Sequence, residues 1–132
     1  MLYEEYVGRW SRQVASEFLK WLNMNSDLVW LDIGCGTGAL SEAILNSRKP
    51  QKVIGVDPSE SQIEYIKENM KHSGAEFYVC DAENLKVNDK IADVIVSGLV
   101  LNFVPDVAKA MIEFKRAAKD NAVIAAYVWD YA

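Results

Sequence analysis

Apolar and polar positions along the chain follow two periods. Val7, Trp10, Val14, Phe18 and Trp21/Leu22 recur at intervals of three and four, which predicts an amphipathic helix over about 9–22. Tyr3 and Tyr6 precede it, in a position to fold over a ligand as a flexible arm. Short apolar runs at Leu28–Ile33, Lys52–Asp57, Glu76–Cys80, Ile91–Ser97 and Ala122–Trp129 read as five strands. Between them lie helical patterns: Ala39–Leu45, a second face of Ile63, Ile66 and Met70, and a third of Val107, Ala110, Met111, Phe114 and Ala117/Ala118.

The punctuation agrees with these periods. Pro50 breaks the helix after Leu45, Gly74 is placed to end the next, and Asn121 supplies a turn before the last strand. Ser59-Glu60-Ser61-Gln62 reads as a capping box, Asp106 as a helix cap, and Asn84–Lys90 as a polar surface connection. Strands alternating with helices predict an α/β fold over residues 1–132, a single domain with its core at about 28–132. It is a Rossmann-like doubly wound sheet of five mainly parallel strands in order 3-2-1-4-5, with helices on both faces. In such a sheet the ligand sits beyond the carboxyl ends of the strands, at the switch point between strands 1 and 4.

Composition narrows the partners. Of the 132 residues, 51% are hydrophobic and 25% charged, the balance of an ordinary globular chain. A formal charge of −5 argues against a nucleic-acid polyanion as partner, because that binding needs Lys and Arg to neutralise phosphates. No apolar run reaches the roughly 20 residues that span a bilayer, and Glu4 and Glu5 do not fit the basic start of a signal peptide, so a cytoplasmic location is expected. Cys35 and Cys80 have no metal-ligand spacing, and no metal or disulfide is expected.

The candidate chemistry begins where the first strand meets Gly34-Cys35-Gly36-Thr37-Gly38. A strand ending in a glycine loop before a helix presents backbone N–H groups to a nucleotide-like ligand. Gly34-x-Gly36-x-x-Ala39 also satisfies the dinucleotide fingerprint of an NAD site. Asp32 separates the two ligands. A carboxylate there would repel a pyrophosphate but suit S-adenosyl-L-methionine, which carries a sulfonium, an ammonium and no phosphate. Asp57, Asp81 and Ser97 also finish strands. Asp57 stands nineteen residues after Gly38, near the spacing of an acid that accepts from both ribose hydroxyls, or else it is a turn acid ahead of Pro58. Asp81 is either an acceptor for an adenine amine, with the Ala82 N–H donating to the ring, or a loop acid.

Leu31–Gly38, Gly55-Val56-Asp57-Pro58-Ser59, Cys80-Asp81-Ala82 and Ala92–Ser97 together resemble the ordered motifs of class I S-adenosylmethionine-dependent methyltransferases, small-molecule branch. Tyr6–Ser11 and Ala125–Tyr131 are similar to further stretches of that family. The resemblance implies Gly34, Cys35 and Gly36 along the methionine, Asp32 near its ammonium and Asp57 on the ribose. It implies Pro58 and Gln62 beside the adenosine, Asp81 and Ala82 at the adenine, and Ser97 and Gly98 facing the methyl donor. Tyr6 and Arg9 would close over the cofactor, with Arg9 a candidate for its carboxylate. The family continues beyond a fifth strand, and this chain stops there, so the last strand is an exposed edge through which a homo-oligomer is expected.

Methyl transfer from a sulfonium asks chiefly for positioning, and no catalytic base stands out. His72, the sole histidine, falls near a predicted helix C-terminus, where a cation suits the dipole. Asn102, Phe103 and Asp106 follow strand four and could touch an acceptor. The expected function is methylation of a small molecule with S-adenosyl-L-homocysteine as product. The alternatives are a module that binds S-adenosylmethionine or S-adenosylhomocysteine without turnover and, more remotely, an NAD-binding protein.

Overall fold

The computed structural model describes the backbone of residues 2–98 and 104–128, and the side chains of 10–98 and 104–128. Helix α1 (Leu2–Leu22) is followed by β1 (Val29–Ile33), α2 (Ala39–Ser47), β2 (Lys52–Asp57), α3 (Glu60–Asn69) and β3 (Ala75–Val79). Then come β4 (Ala92–Gly98), α4 (Val107–Ala117) and β5 (Ala118–Tyr127). The strands form one sheet in the order β3-β2-β1-β4-β5, and every neighbouring pair is parallel. This is the Rossmann-like topology expected from the alternation of periods.

Burial on both faces explains why β1 and β2 are continuous apolar runs rather than alternating ones. One face carries Trp30, Val53, Val94 and Val96 against Ala15, Phe18 and Leu19 of α1 and Leu40 and Ile44 of α2. The other carries Leu31, Ile33, Ile54, Val56 and Ile95 against Ala110, Phe114 and Ala117 of α4 and Leu85 of the β3–β4 connection. Fully burying a side chain of the Leu, Ile or Phe class stabilises by about 1.5–3 kcal/mol before entropy, so these two layers hold the sheet rigid beneath its carboxyl edge.

Several boundaries differ from expectation, each for a local reason. Helix α1 begins at Leu2, so the stretch read as a flexible arm is helical backbone. Helix α4 passes directly into β5, whose first residue Ala118 is already extended. The turn expected at Asn121 lies inside β5 instead. Asn121 takes φ 66°, and Ala118 to Val123 of β5 spans only Ala92 to Val94 of β4, a bulge that restores pairing for the rest of the strand. Helix α3 ends at Asn69, short of Gly74, whose carbonyl instead accepts from Val53 N–H. His72 therefore lies beyond that helix. Its Nδ1 accepts from Gly74 N–H at 3.0 Å, in the turn between α3 and β3.

The connection after Asp81 is fixed rather than loose. Arg116 near the end of α4 donates to the Val87 carbonyl at 2.9 Å and the Leu85 carbonyl at 2.7 Å. It also pairs with Glu113 and Asp89. Asp106 caps α4 by accepting from Lys109 N–H at 3.0 Å, as expected. Asn102 and Phe103 lie outside the described residues.

Gly55 in the middle of β2 leaves room for the Phe77 ring, whose Cδ1 and Cε1 would stand 2.5 and 2.7 Å from a Cβ, with Cys35 Sγ at 3.3 Å. Gly55→Ala is expected to destabilise the protein by about 1–3 kcal/mol through overpacking, measured as a lowered urea midpoint. An unchanged midpoint would contradict this account of the β2–β3 packing.

Candidate functional site

The switch point between β1 and β4 is built from the chain in four steps. First, β1 ends in a loop in which Gly34, Gly36 and Gly38 take φ of 71°, 54° and 89°. L-residues with a Cβ avoid that left-handed region, so the alternating glycines are what allow the loop to turn back over the sheet.

Second, the loop is tied down through its own donors. Gly34 and Cys35 N–H both donate to the Val56 carbonyl, at 2.7 and 2.9 Å, Gly38 N–H to the Cys35 carbonyl, and Gly36 N–H to Asp57 Oδ2 at 2.9 Å. The loop therefore does not present those four N–H groups to a ligand, contrary to the expectation for a nucleotide loop. A pyrophosphate would find them occupied, one of them by a carboxylate.

Third, two acids at strand ends are buried beside it. Asp57 also accepts from Ser59 N–H at 2.9 Å, so one carboxylate joins the glycine loop to the start of α3. Ser59 in turn accepts from Gln62 N–H at 3.3 Å. Only that half of the capping box forms, because Asp57 takes the Ser59 N–H. Each Asp57 oxygen keeps a second lone pair for a further donor. Asp32 is 1% exposed and accepts from Ser41 Oγ at 2.7 Å. Burial pushes its pKa up to about 6. The Ser41 hydroxyl opposes that shift, while the nearby Asp57 charge adds to it.

Fourth, two cavities of about 150 Å³ each meet at Gly34. One is lined by Asp32, Cys35, Gly36, Thr37 and the first residues of α2, with Ser11, Gly98 and Tyr127. The other is lined by Pro58, Cys80, Asp81, Ala82, Glu83, Val104 and Pro105. The sequence-predicted residues thus separate into a group around Asp32 and a group around Asp81, and Asp57, bonded to Gly36 N–H of the loop between them, lines neither cavity.

Not every expected residue reaches these cavities. Ser97 is buried and donates to the Ile33 carbonyl at 3.0 Å, joining β4 to β1 rather than lining either cavity. Gln62 lines neither. The side chains of Tyr6 and Arg9 lie outside the described residues. Conversely, Ser11, Thr37, Leu40 and Tyr127 line the first cavity without having been named as site residues; Ser11, Thr37 and Tyr127 lie in stretches that resemble the family, and the packing of α1 and β5 on the sheet brings Ser11 and Tyr127 there. Burial pushes the thiols of Cys35 and Cys80 up, which keeps both protonated and unreactive. Among the described residues there is no cluster of acids, histidines and cysteines able to hold a metal, and no helix is long and apolar enough to cross a membrane.

Comparison with known proteins agrees with this fold. Residues 31–126 match the family model described as a methyltransferase domain. The chain is 26% identical over 125 residues to a malonyl-[acyl-carrier protein] O-methyltransferase of Acetivibrio thermocellus, covering 93% of this chain and 44% of that protein. It is 27% identical over 118 residues to a ubiquinone/menaquinone biosynthesis C-methyltransferase of Campylobacter jejuni, covering 86% of this chain and 49% of that one. It thus spans about half the length of these curated relatives. Among solved structures, a SAM-dependent methyltransferase from Aquifex aeolicus superposes with a TM-score of 0.80 at 22% identity, over 88% of this chain and 64% of that one, which shows the shared fold. With its strand order, its glycine loop and a family match over most of its length, the chain belongs to the class I S-adenosylmethionine-dependent methyltransferases.

Proposed function

We propose that this chain is the cofactor-binding domain of an enzyme that transfers a methyl group from S-adenosyl-L-methionine to a small-molecule acceptor. The observation that carries the reading is the pairing of two buried strand-end carboxylates with a glycine loop in which the N–H groups of Gly34, Cys35, Gly36 and Gly38 are already occupied. Such a site favours a cationic, phosphate-free ligand over a dinucleotide.

In this reading the cavity around Asp32 takes the methionine portion, with the Asp32 carboxylate facing its ammonium and Gly34, Cys35 and Gly36 along its length. Asp57 accepts from the ribose hydroxyls with its remaining lone pairs, and Pro58 packs beside the adenosine. The cavity around Asp81 and Ala82 takes the adenine, and Gly98 faces the donor methyl. The cofactor supplies an electrophilic methyl on a sulfonium. The chain's own contribution is to hold the donor rigidly, which suits a displacement limited by approach and alignment. Ser97 supports β1 and β4 at that point, and Gln62 supports the start of α3 through its backbone.

A small acceptor is supported by relatives named for a malonyl thioester carrier and for quinone precursors. The charge of −5 is in keeping with an acceptor that is not a nucleic acid, and with a cytoplasmic protein. Strand β5 pairs only with β4 among the described strands, and Ile124 on it and Val128 just after it are exposed, which supports pairing with a second copy at that edge.

Two outcomes follow. With S-adenosylmethionine and a panel of malonyl thioesters and quinone-precursor phenols, S-adenosylhomocysteine is expected to accumulate with at least one acceptor, read by mass spectrometry. Cofactor binding without product from any acceptor would contradict the transferase reading.

The second outcome concerns Asp32, whose folded pKa near 6 lies above the ordinary 3.8. Between those values the folded state holds the extra proton, so stability falls as pH rises from about 4 to 6 and is level above that. Asp32→Asn is therefore expected to stabilise the ligand-free protein at pH 7.5, by about 2 kcal/mol, while weakening S-adenosylhomocysteine binding at least about tenfold. Thermal unfolding and calorimetry check both. A destabilised variant that binds normally would contradict the assignment.

A further inference from the structure

Tyr127 lines the β5 end of the cavity that contains Asp32. Along β5, Val123, Ala125 and Tyr127 turn toward the α1–α2 layer. Tyr127 is held there by an edge-on contact with Phe18 of α1, ring centroids 4.8 Å apart at 63°. It stands in register with Gly98 of β4. A Cβ at Gly98 would collide with the phenol oxygen and with Cζ, so the hydroxyl lies directly over the Gly98 backbone. Glycine at 98 is what lets an aromatic hydroxyl reach the switch point.

Three acceptors and donors near the strand ends are already paired. Asp32 has Ser41, Ser97 has the Ile33 carbonyl, and Asp57 has two backbone donors. The Tyr127 hydroxyl makes no hydrogen bond to any described residue and opens on the cavity. With no bond to a described residue to give up, the hydroxyl is available to a ligand group that enters the cavity. Burial and the Asp32 charge push the Tyr127 pKa up to about 12, so at neutral pH the oxygen is a neutral phenol with free lone pairs.

We propose that Tyr127 is a positioning and selectivity residue whose phenol oxygen faces the sulfonium end of the bound cofactor and favours S-adenosylmethionine over S-adenosylhomocysteine. This rests on the reading above that Gly98 faces the donor methyl. Oxygen lone pairs attract a positively charged sulfur and its polarised methyl C–H groups. The product has neither the charge nor the methyl, so the same oxygen holds it no better than an apolar edge would. The consequence is retention of donor and release of product.

The test is calorimetric titration of the unsubstituted protein and Tyr127→Phe with both ligands. The Phe ring keeps the contact with Phe18, so the unliganded melting temperature is expected to stay level or rise. The Kd for S-adenosylmethionine is expected to rise about five- to tenfold, and that for S-adenosylhomocysteine to change less than about twofold. Equal weakening of both, or no change in either, would overturn the role proposed for Tyr127 while leaving the cofactor site in place. If the unsubstituted protein binds neither ligand, the cofactor reading itself falls, and this proposal with it.

Discussion

The carboxylate of Asp57 is the interaction on which the rest of the site depends. It leaves the end of β2, accepts from Gly36 N–H in the glycine loop and from Ser59 N–H at the start of α3, and is almost wholly buried while doing so. Charge-assisted bonds of this kind are worth roughly 1.5–3 kcal/mol each, enough to hold a loop of three left-handed glycines in one shape. Without that tie the Gly36 N–H would be free to meet a ligand, while Gly34, Cys35 and Gly38 would keep their carbonyl acceptors. With it, the loop is a neutral wall between two cavities, and its orientation is fixed before any ligand arrives.

Asp32 complements it from the adjacent strand. Its burial raises its proton affinity, and among the described residues its only side-chain partner is the Ser41 hydroxyl, so the ligand-free protein carries an acid that is poorly satisfied at neutral pH. A ligand ammonium would relieve that cost and draw the pKa down again. Stability given up at one position is regained as binding energy at the same position, which is the usual relation between a strained site and its ligand. The two layers of apolar side chains around β1, β2 and β4 make this tolerable, because they hold the strands whose ends carry both acids.

Much of this was legible in the sequence, and the residues divide along a clear physical line. Asp32, Asp57 and Asp81 were legible because an acid at the end of an apolar run must sit at the rim of a parallel sheet, where ligands bind. The glycine loop was legible because alternating glycines have few other uses. What the sequence could not convey was the use of the hydrogen bonds. Nothing in a linear pattern says that Gly36 N–H is taken by Asp57, that Ser97 turns its hydroxyl to the Ile33 carbonyl, or that Asp57 replaces half of the Ser59–Gln62 capping box. Tyr127 and Ser11 lie in stretches that resemble the family, but their places in the cavity come from how β5 and α1 pack on the sheet. The direct passage from α4 into β5 was hidden because a bulge at Asn121 absorbs residues that read as a turn.

The central claim is that the occupied loop and its two buried acids select a cationic, phosphate-free nucleoside ligand. Side-by-side calorimetric titration of the protein with S-adenosyl-L-homocysteine and with NAD at neutral pH tests it most directly. The account predicts saturable binding of the homocysteine ligand, whose ammonium and ribose meet both acids, and none of NAD. Binding of NAD with no binding of S-adenosylhomocysteine would contradict it.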